Sequence, residues 1–272
     1  MTINKKTVYA LTLLGTLGII IMRTVQNLLM VEEGSGFFFE GYALTATVML
    51  IFMFGIILAA AIYGFICPTV PRAAPKPNKI WGITCALVAF AVLYEVFFTE
   101  ISINIPRWQV ALHFGLGVAT TVILLLHAIS TVTTFKLPPL LDVILVLFWT
   151  IKLIIIFSNY SSLAAITENV FELASLCGIL VFVLQFAELQ NGVTPYNTTN
   201  AFLGFAVIAF MLCAAYSVPQ IILYITGNKN LAHTSNVTFI TGFAMMIFIG
   251  VYVVLAFKEE NLTAKIKTEN EE

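Results

Sequence analysis

Polar positions are sparse in this chain, and the apolar ones run in blocks. Eight windows of mainly apolar residues recur: Val8–Met30, Tyr42–Cys67, Ile80–Phe98, Gln109–Thr134, Leu140–Phe157, Ala164–Phe186, Thr199–Thr226 and Val237–Phe257. A run of roughly 17–25 such residues spans a hydrocarbon core as a helix, so each block predicts a membrane span. The breaks between blocks carry the breakers. Pro71, Pro75 and Pro77 interrupt Pro68–Asn78, and Lys136, Pro138 and Pro139 follow the fourth block. Ser158–Ser162 and Glu188–Asn197 are polar loops. Pro219 lies inside the seventh block and predicts a kink there. The polar stretch Lys258–Glu272 reads as a frayed or disordered tail.

Composition sharpens this pattern. The 272 residues are 60% hydrophobic and 10% charged, against roughly a quarter charged in soluble domains. A soluble fold is excluded, and the lipid bilayer is the first partner. The net charge of −1 offers no basic surface, so no nucleic acid is expected. Lys5 and Lys6 precede an apolar run, as in a signal peptide. No small-x-small cleavage site follows, so the run reads as an uncleaved first span.

Charge also orients the spans. With eight spans and a cytoplasmic N-terminus, the inner segments hold Lys5, Lys6, Arg72, Lys76, Lys79, Lys136, Lys258, Lys265 and Lys267. The outer segments hold Arg107 and Lys229. Nine against two obeys the positive-inside rule, with both ends inside. The expected fold is therefore all-α: one polytopic bundle of about eight transmembrane helices over residues 1–257, N-in and C-in, with a cytoplasmic tail over 258–272. The halves align loosely as a parallel four-plus-four repeat. Arg23 matches Lys152, Phe38-Phe39-Glu40 matches Val170-Phe171-Glu172, and Val88-Ala89-Phe90 matches Ile208-Ala209-Phe210. Chance similarity between apolar helices is the favoured explanation of a match this loose.

Six ionisable residues fall within spans: Arg23, Glu95, Asp142, Lys152, Glu168 and Glu172. Asp142 opens its helix, where the macrodipole stabilises a carboxylate without any function. The other five all map to the outer half. Gln26, Asn27, His113, Tyr216 and Gln220 map to the same depth. Helical spacing puts Gln26 and Asn27 on the face of Arg23, and Glu168 on that of Glu172. Intramembrane charges need partners and are functional candidates. Arg23 or Lys152 either pairs with a carboxylate or, about 10 Å inside the boundary, snorkels outward. Two readings follow. Ion pairs fix the register of the bundle, or an outward-facing polar cavity takes a small polar or ionic ligand. In the second, Arg23 and Lys152 hold an anionic group or neutralise Glu168 and Glu172, and Pro219 supplies a hinge.

Other chemistry finds little support. His113 and His127 lie fourteen apart on nearly one face, the spacing of two haem levels, but the one remaining histidine, His233, falls in a loop. Cys67, Cys85, Cys177 and Cys213 lie in or beside apolar runs without C-x-x-C spacing and read as packing residues. No metal set, cofactor motif or nucleophile–base signature occurs, so no catalytic residue is assigned. Gly55, Ala59, Ala60 and Gly64 give small-x-x-x-small spacing, which suits close helix packing.

The run Arg23…Gln26-Asn27-Leu28-Leu29, an acidic glycine turn and Gly36-Phe37-Phe38 resemble an uncharacterised family of multi-pass membrane proteins from anaerobic Gram-positive bacteria. The basic, proline-containing loop from Pro71-Arg72 to Lys79 fits as well. The turn Glu32-Glu33-Gly34-Ser35-Gly36-Phe37 departs from that family's Asp/Glu-x-x-Gly-Phe pattern. A bacterial plasma membrane is the expected location, and the resemblance brings no activity. The function expected is transporter-like or small-ligand-binding, the alternative a non-catalytic subunit of a membrane complex.

Overall fold

A computed structural model describes residues 5–32, 35–67, 74–98, 106–133, 135, 137–160, 167–192, 199–228, 231 and 238–269. Glu33, Gly34, Pro71, Arg72, Lys136, Lys229 and His233, which entered the sequence reading, lie outside these residues. Eight α-helices fill the described chain: α1 Lys5–Met30, α2 Ala43–Ile66, α3 Lys79–Phe98, α4 Arg107–Ser130, α5 Leu140–Tyr160, α6 Thr167–Gln190, α7 Thr199–Ile225 and α8 Thr238–Glu269. All eight are long and apolar enough to cross a membrane. The protein is a membrane-integral helical bundle, and every predicted block is a helix.

Boundaries moved where local chemistry differs from the hydropathy edge. Helix α8 runs on through Glu269 instead of stopping at Phe257. Residues 258–269 contain no Gly or Pro, and their Lys, Glu and Ala favour continuing a helix already begun. Helix α4 stops at Ser130, where the Ser130 hydroxyl donates to the carbonyl of His127 and the Thr131 hydroxyl to that of Ala128. Such bonds compete with the helix ladder. Helix α6 extends to Gln190, then ends at Gly192, whose φ of 66° suits the left-handed residue after a helix. Helix α7 continues through Pro219.

The packing is two plus six. Helices α3 to α8 pack in sequence, and α8 returns to α3, closing a ring. The α1–α2 hairpin docks outside this ring against α7. A four-plus-four repeat would match the α2–α7 and α3–α8 contacts with equivalent α6–α3 and α7–α4 contacts. Neither of those appears among the main packing pairs. The loose sequence match does not correspond to duplicated packing.

Small residues set the closest approaches. A Cβ on Gly64 of α2 would lie 2.9 Å from the Gly204 Cα of α7. The Ala60–Gly64 half of the small-residue pattern is buried there, while Gly55 and Ala59 are exposed on the bundle's outer surface. The turn between α1 and α2 is a tight one. Glu32 N–H donates to the Phe37 carbonyl, the Ser35 hydroxyl donates to Glu32 Oε2 at 2.7 Å, and Gly36 has a φ of 71°.

Alternating helices put the start of α1 beside the end of α8, with Tyr9 edge-on to Phe257. We call this end the termini side and the opposite end the far side. An aromatic cluster of Trp81, Phe182, Phe186, Phe202, Phe248 and Tyr252 fills the ring towards the termini side.

Candidate functional site

All ten sequence-predicted site residues are buried, the most exposed being His113 at 6%. They map to the far side, yet they do not form one open site. Two separate clasps take up the charges.

The first clasp starts from the face of α1 that carries Arg23, Gln26 and Asn27. The guanidinium donates through Nη2 to Glu168 Oε1 of α6 at 2.7 Å and through Nη1 to Gln26 Oε1. Gln26 Nε2 in turn donates to the Ala46 carbonyl of α2 at 3.0 Å. The Arg23 Cζ lies 4.7 Å from the centroid of Phe171, which stacks on Phe54 of α2. Arg23 is 2% exposed and turns inward, so it does not snorkel. It ties the docked hairpin to the ring. Asn27 Oδ1 and Nδ2, Glu168 Oε2 and, on α7, Gln220 Oε1 are buried with no partner among the described residues. Such atoms are ordinarily satisfied by buried water.

The second clasp lies inside the ring. Lys152 Nζ of α5 reaches Glu95 of α3 at 2.6 Å to Oε1 and 2.8 Å to Oε2, and sits 5.0 Å from the Trp149 ring centroid. Of the two cations expected to hold an anion or neutralise Glu168 and Glu172, Arg23 pairs with Glu168 and Lys152 pairs with Glu95. Glu172 shares with Lys152 a cavity of 10 Å³ that Ser175, Tyr216 and Thr238 also line. That is room for about one water. The Tyr216 and Thr238 hydroxyls bond at 2.6 Å and join α7 to α8. His113 packs on Phe148, ring centroids 5.5 Å apart.

A ligand-sized space lies at the other end of the bundle. A cleft of 380 Å³ opens on the termini side, within the range of about 300–1,000 Å³ common for small-molecule sites. Its polar lining comes from His127 and Ser130 of α4, Asp142 of α5, Gln190 at the end of α6 and Asn191 just beyond. Trp81, Phe135, Leu137 and three prolines, Pro75, Pro77 and Pro139, form apolar walls. His127 Nε2 and Asp142 Oδ1 are 2.7 Å apart, and Asn191 Nδ2 donates to Asp142 Oδ2 at 3.0 Å. Gln190 donates to the Tyr252 hydroxyl at 3.2 Å. Asp142 is thus more than a helix-dipole residue: it holds the ends of three helices together at the cleft.

Gln190, Asn191 and Trp81 are absent from the sequence-derived set. Their signal was present but faint. Ala187-Glu188-Leu189-Gln190 are all good helix formers, and Gly192 marks the stop, which carries α6 past its apolar edge to the cleft. A third recess of 200 Å³ between α1, α7 and α8 is almost wholly apolar and suits an acyl chain. Among the described residues no group of three metal-binding side chains occurs.

No family model, curated protein or solved structure matches the chain. Its described residues form an eight-helix bundle long and apolar enough to span a membrane, with buried ion pairs towards the far side and a cleft at the termini side.

Proposed function

We propose that this chain is a small-ligand-binding integral membrane protein, transporter-like in its one-sided access. The termini side faces the cytoplasm and the membrane is a bacterial plasma membrane. The carrying observation is the 380 Å³ cleft with polar lining at the termini side. The lysine and arginine bias supports the orientation, and the resemblance of the first helix and turn supports the bacterial setting. In this reading the far-side pairs hold the ring shut while the ligand enters between α3, α4, α5 and α6.

The test is a thermal-shift screen of purified full-length protein in detergent against ions, amino acids, organic acids, nucleosides and amines. At least one compound stabilises the wild type by mass action. Filling the cleft with Ser130→Trp abolishes the shift, while Glu172→Gln retains it. A shift lost in Glu172→Gln but kept in Ser130→Trp would move the site to the far side. A complete absence of shifts would favour the second reading, a non-catalytic subunit of a membrane complex. The two buried ion pairs that tie helices together support that reading.

A further inference from the structure

The cleft on the termini side has a chemical bias. Its buried charge is the Asp142 carboxylate, 2% exposed. Among the described lining residues there is no lysine or arginine. His127 Nε2 lies 2.7 Å from one oxygen of Asp142, and the Asn191 amide donates to the other at 3.0 Å. Trp81, 3% exposed, and Phe135 put two aromatic rings in the lining, and aromatic faces attract cations. The Trp81 indole N–H is buried and finds no acceptor among the described residues. A group of this kind is expensive to leave unmatched. The ligand that answers all three features carries a positive head, an apolar envelope and a hydrogen-bond acceptor.

We propose that the cleft binds a small organic ammonium ion carrying a hydroxyl or similar acceptor. Its cationic head lies against Trp81 and Phe135 and faces Asp142. This inference rests on the cleft being a ligand site, as proposed above, and adds the class of ligand. Lys76 is exposed and stands between two lining prolines without itself lining the space.

The test uses purified full-length protein in detergent, with choline as the probe and its neutral dimethylbutanol isostere and benzoate as controls. Thermal stabilisation is followed against concentration. Choline gives a saturable shift, and the isostere binds about tenfold more weakly, the scale of a desolvated cation–π contact plus a charge-assisted one. Asp142→Asn weakens choline by about tenfold. Phe135 is half exposed, at 51%, so Phe135→Ala leaves the ligand-free midpoint unchanged while weakening choline about threefold. Equal binding of choline and isostere would overturn the proposal, as would choline binding indifferent to both substitutions. A saturable, Phe135-dependent shift with benzoate alone would leave the cleft a ligand site and discard the ammonium class. No saturable shift with any of the three probes overturns the ammonium class. The wider panel then decides whether the cleft binds anything.

Discussion

The two polar ends of this bundle use similar residues to opposite effect. On the far side, Arg23 with Glu168 and Lys152 with Glu95 are matched charge to charge and buried to 3% or less, and the cavity beside Lys152 and Glu172 has space for about one water. On the termini side, Asp142 meets a histidine and an amide, and a cleft of 380 Å³ lies beside them. The difference lies in what surrounds the charge. Far-side groups come from helix interiors that lie among packed helices, so the chain itself must satisfy them. Termini-side groups sit at the ends of α4, α5 and α6, where proline-rich connectors cannot continue the packing. Two buried ion pairs tie helices together on the far side, and a carboxylate at a helix end borders open space on the termini side.

That contrast can be broken in graded steps. The largest effect is expected from splitting a far-side pair. Glu168→Gln leaves the Arg23 cation buried without its counter-charge and costs about 3–5 kcal/mol, read by reversible unfolding in detergent. Arg23→Met together with Glu168→Gln recovers most of that loss, because no uncompensated charge remains. Recovery of none of it would mean that the pair itself contributes net stability.

Next comes the dock of the hairpin on the ring. Gly64→Val drives a side chain into the Gly204 backbone, which cannot yield as a flexible side chain would. We expect about 1–3 kcal/mol of destabilisation and easier protease cutting of the connection after α2. Asn191→Ala should cost less, about 1 kcal/mol, since it removes one hydrogen bond to Asp142 at a site water can reach. Phe135→Ala, at an exposed cleft wall, should stay within about 0.5 kcal/mol of wild type. A Phe135→Ala cost matching that of Glu168→Gln would erase the distinction between buried pair and cleft.

Much of the fold was readable along the chain. Hydropathy marked all eight helices because in lipid each span must satisfy its own backbone and present an apolar surface. The side of each charge was readable too, since helix direction alternates from one span to the next. Partner choice was not. Lys152 and Glu95 lie 57 positions apart, and nothing local distinguishes Glu95 from Glu172 as the counter-ion. The ring of six was equally hidden, because α3 meets α8 through contacts distant in sequence. The cleft was missed for a different reason. Asp142 had an adequate local explanation at its helix N-terminus, and the apolar edge of α6 stopped short of Gln190 and Asn191.

One measurement addresses the asymmetry of access directly: labelling by a membrane-impermeant maleimide in sided vesicles. Ser130→Cys reports the cleft and Ser175→Cys the cavity between the far-side charges, in a background with exposed Cys177 replaced by alanine. The account predicts that Ser130→Cys reacts from the termini side alone and that Ser175→Cys reacts from neither side. Labelling of Ser175→Cys from the far side, with Ser130→Cys protected, would contradict it.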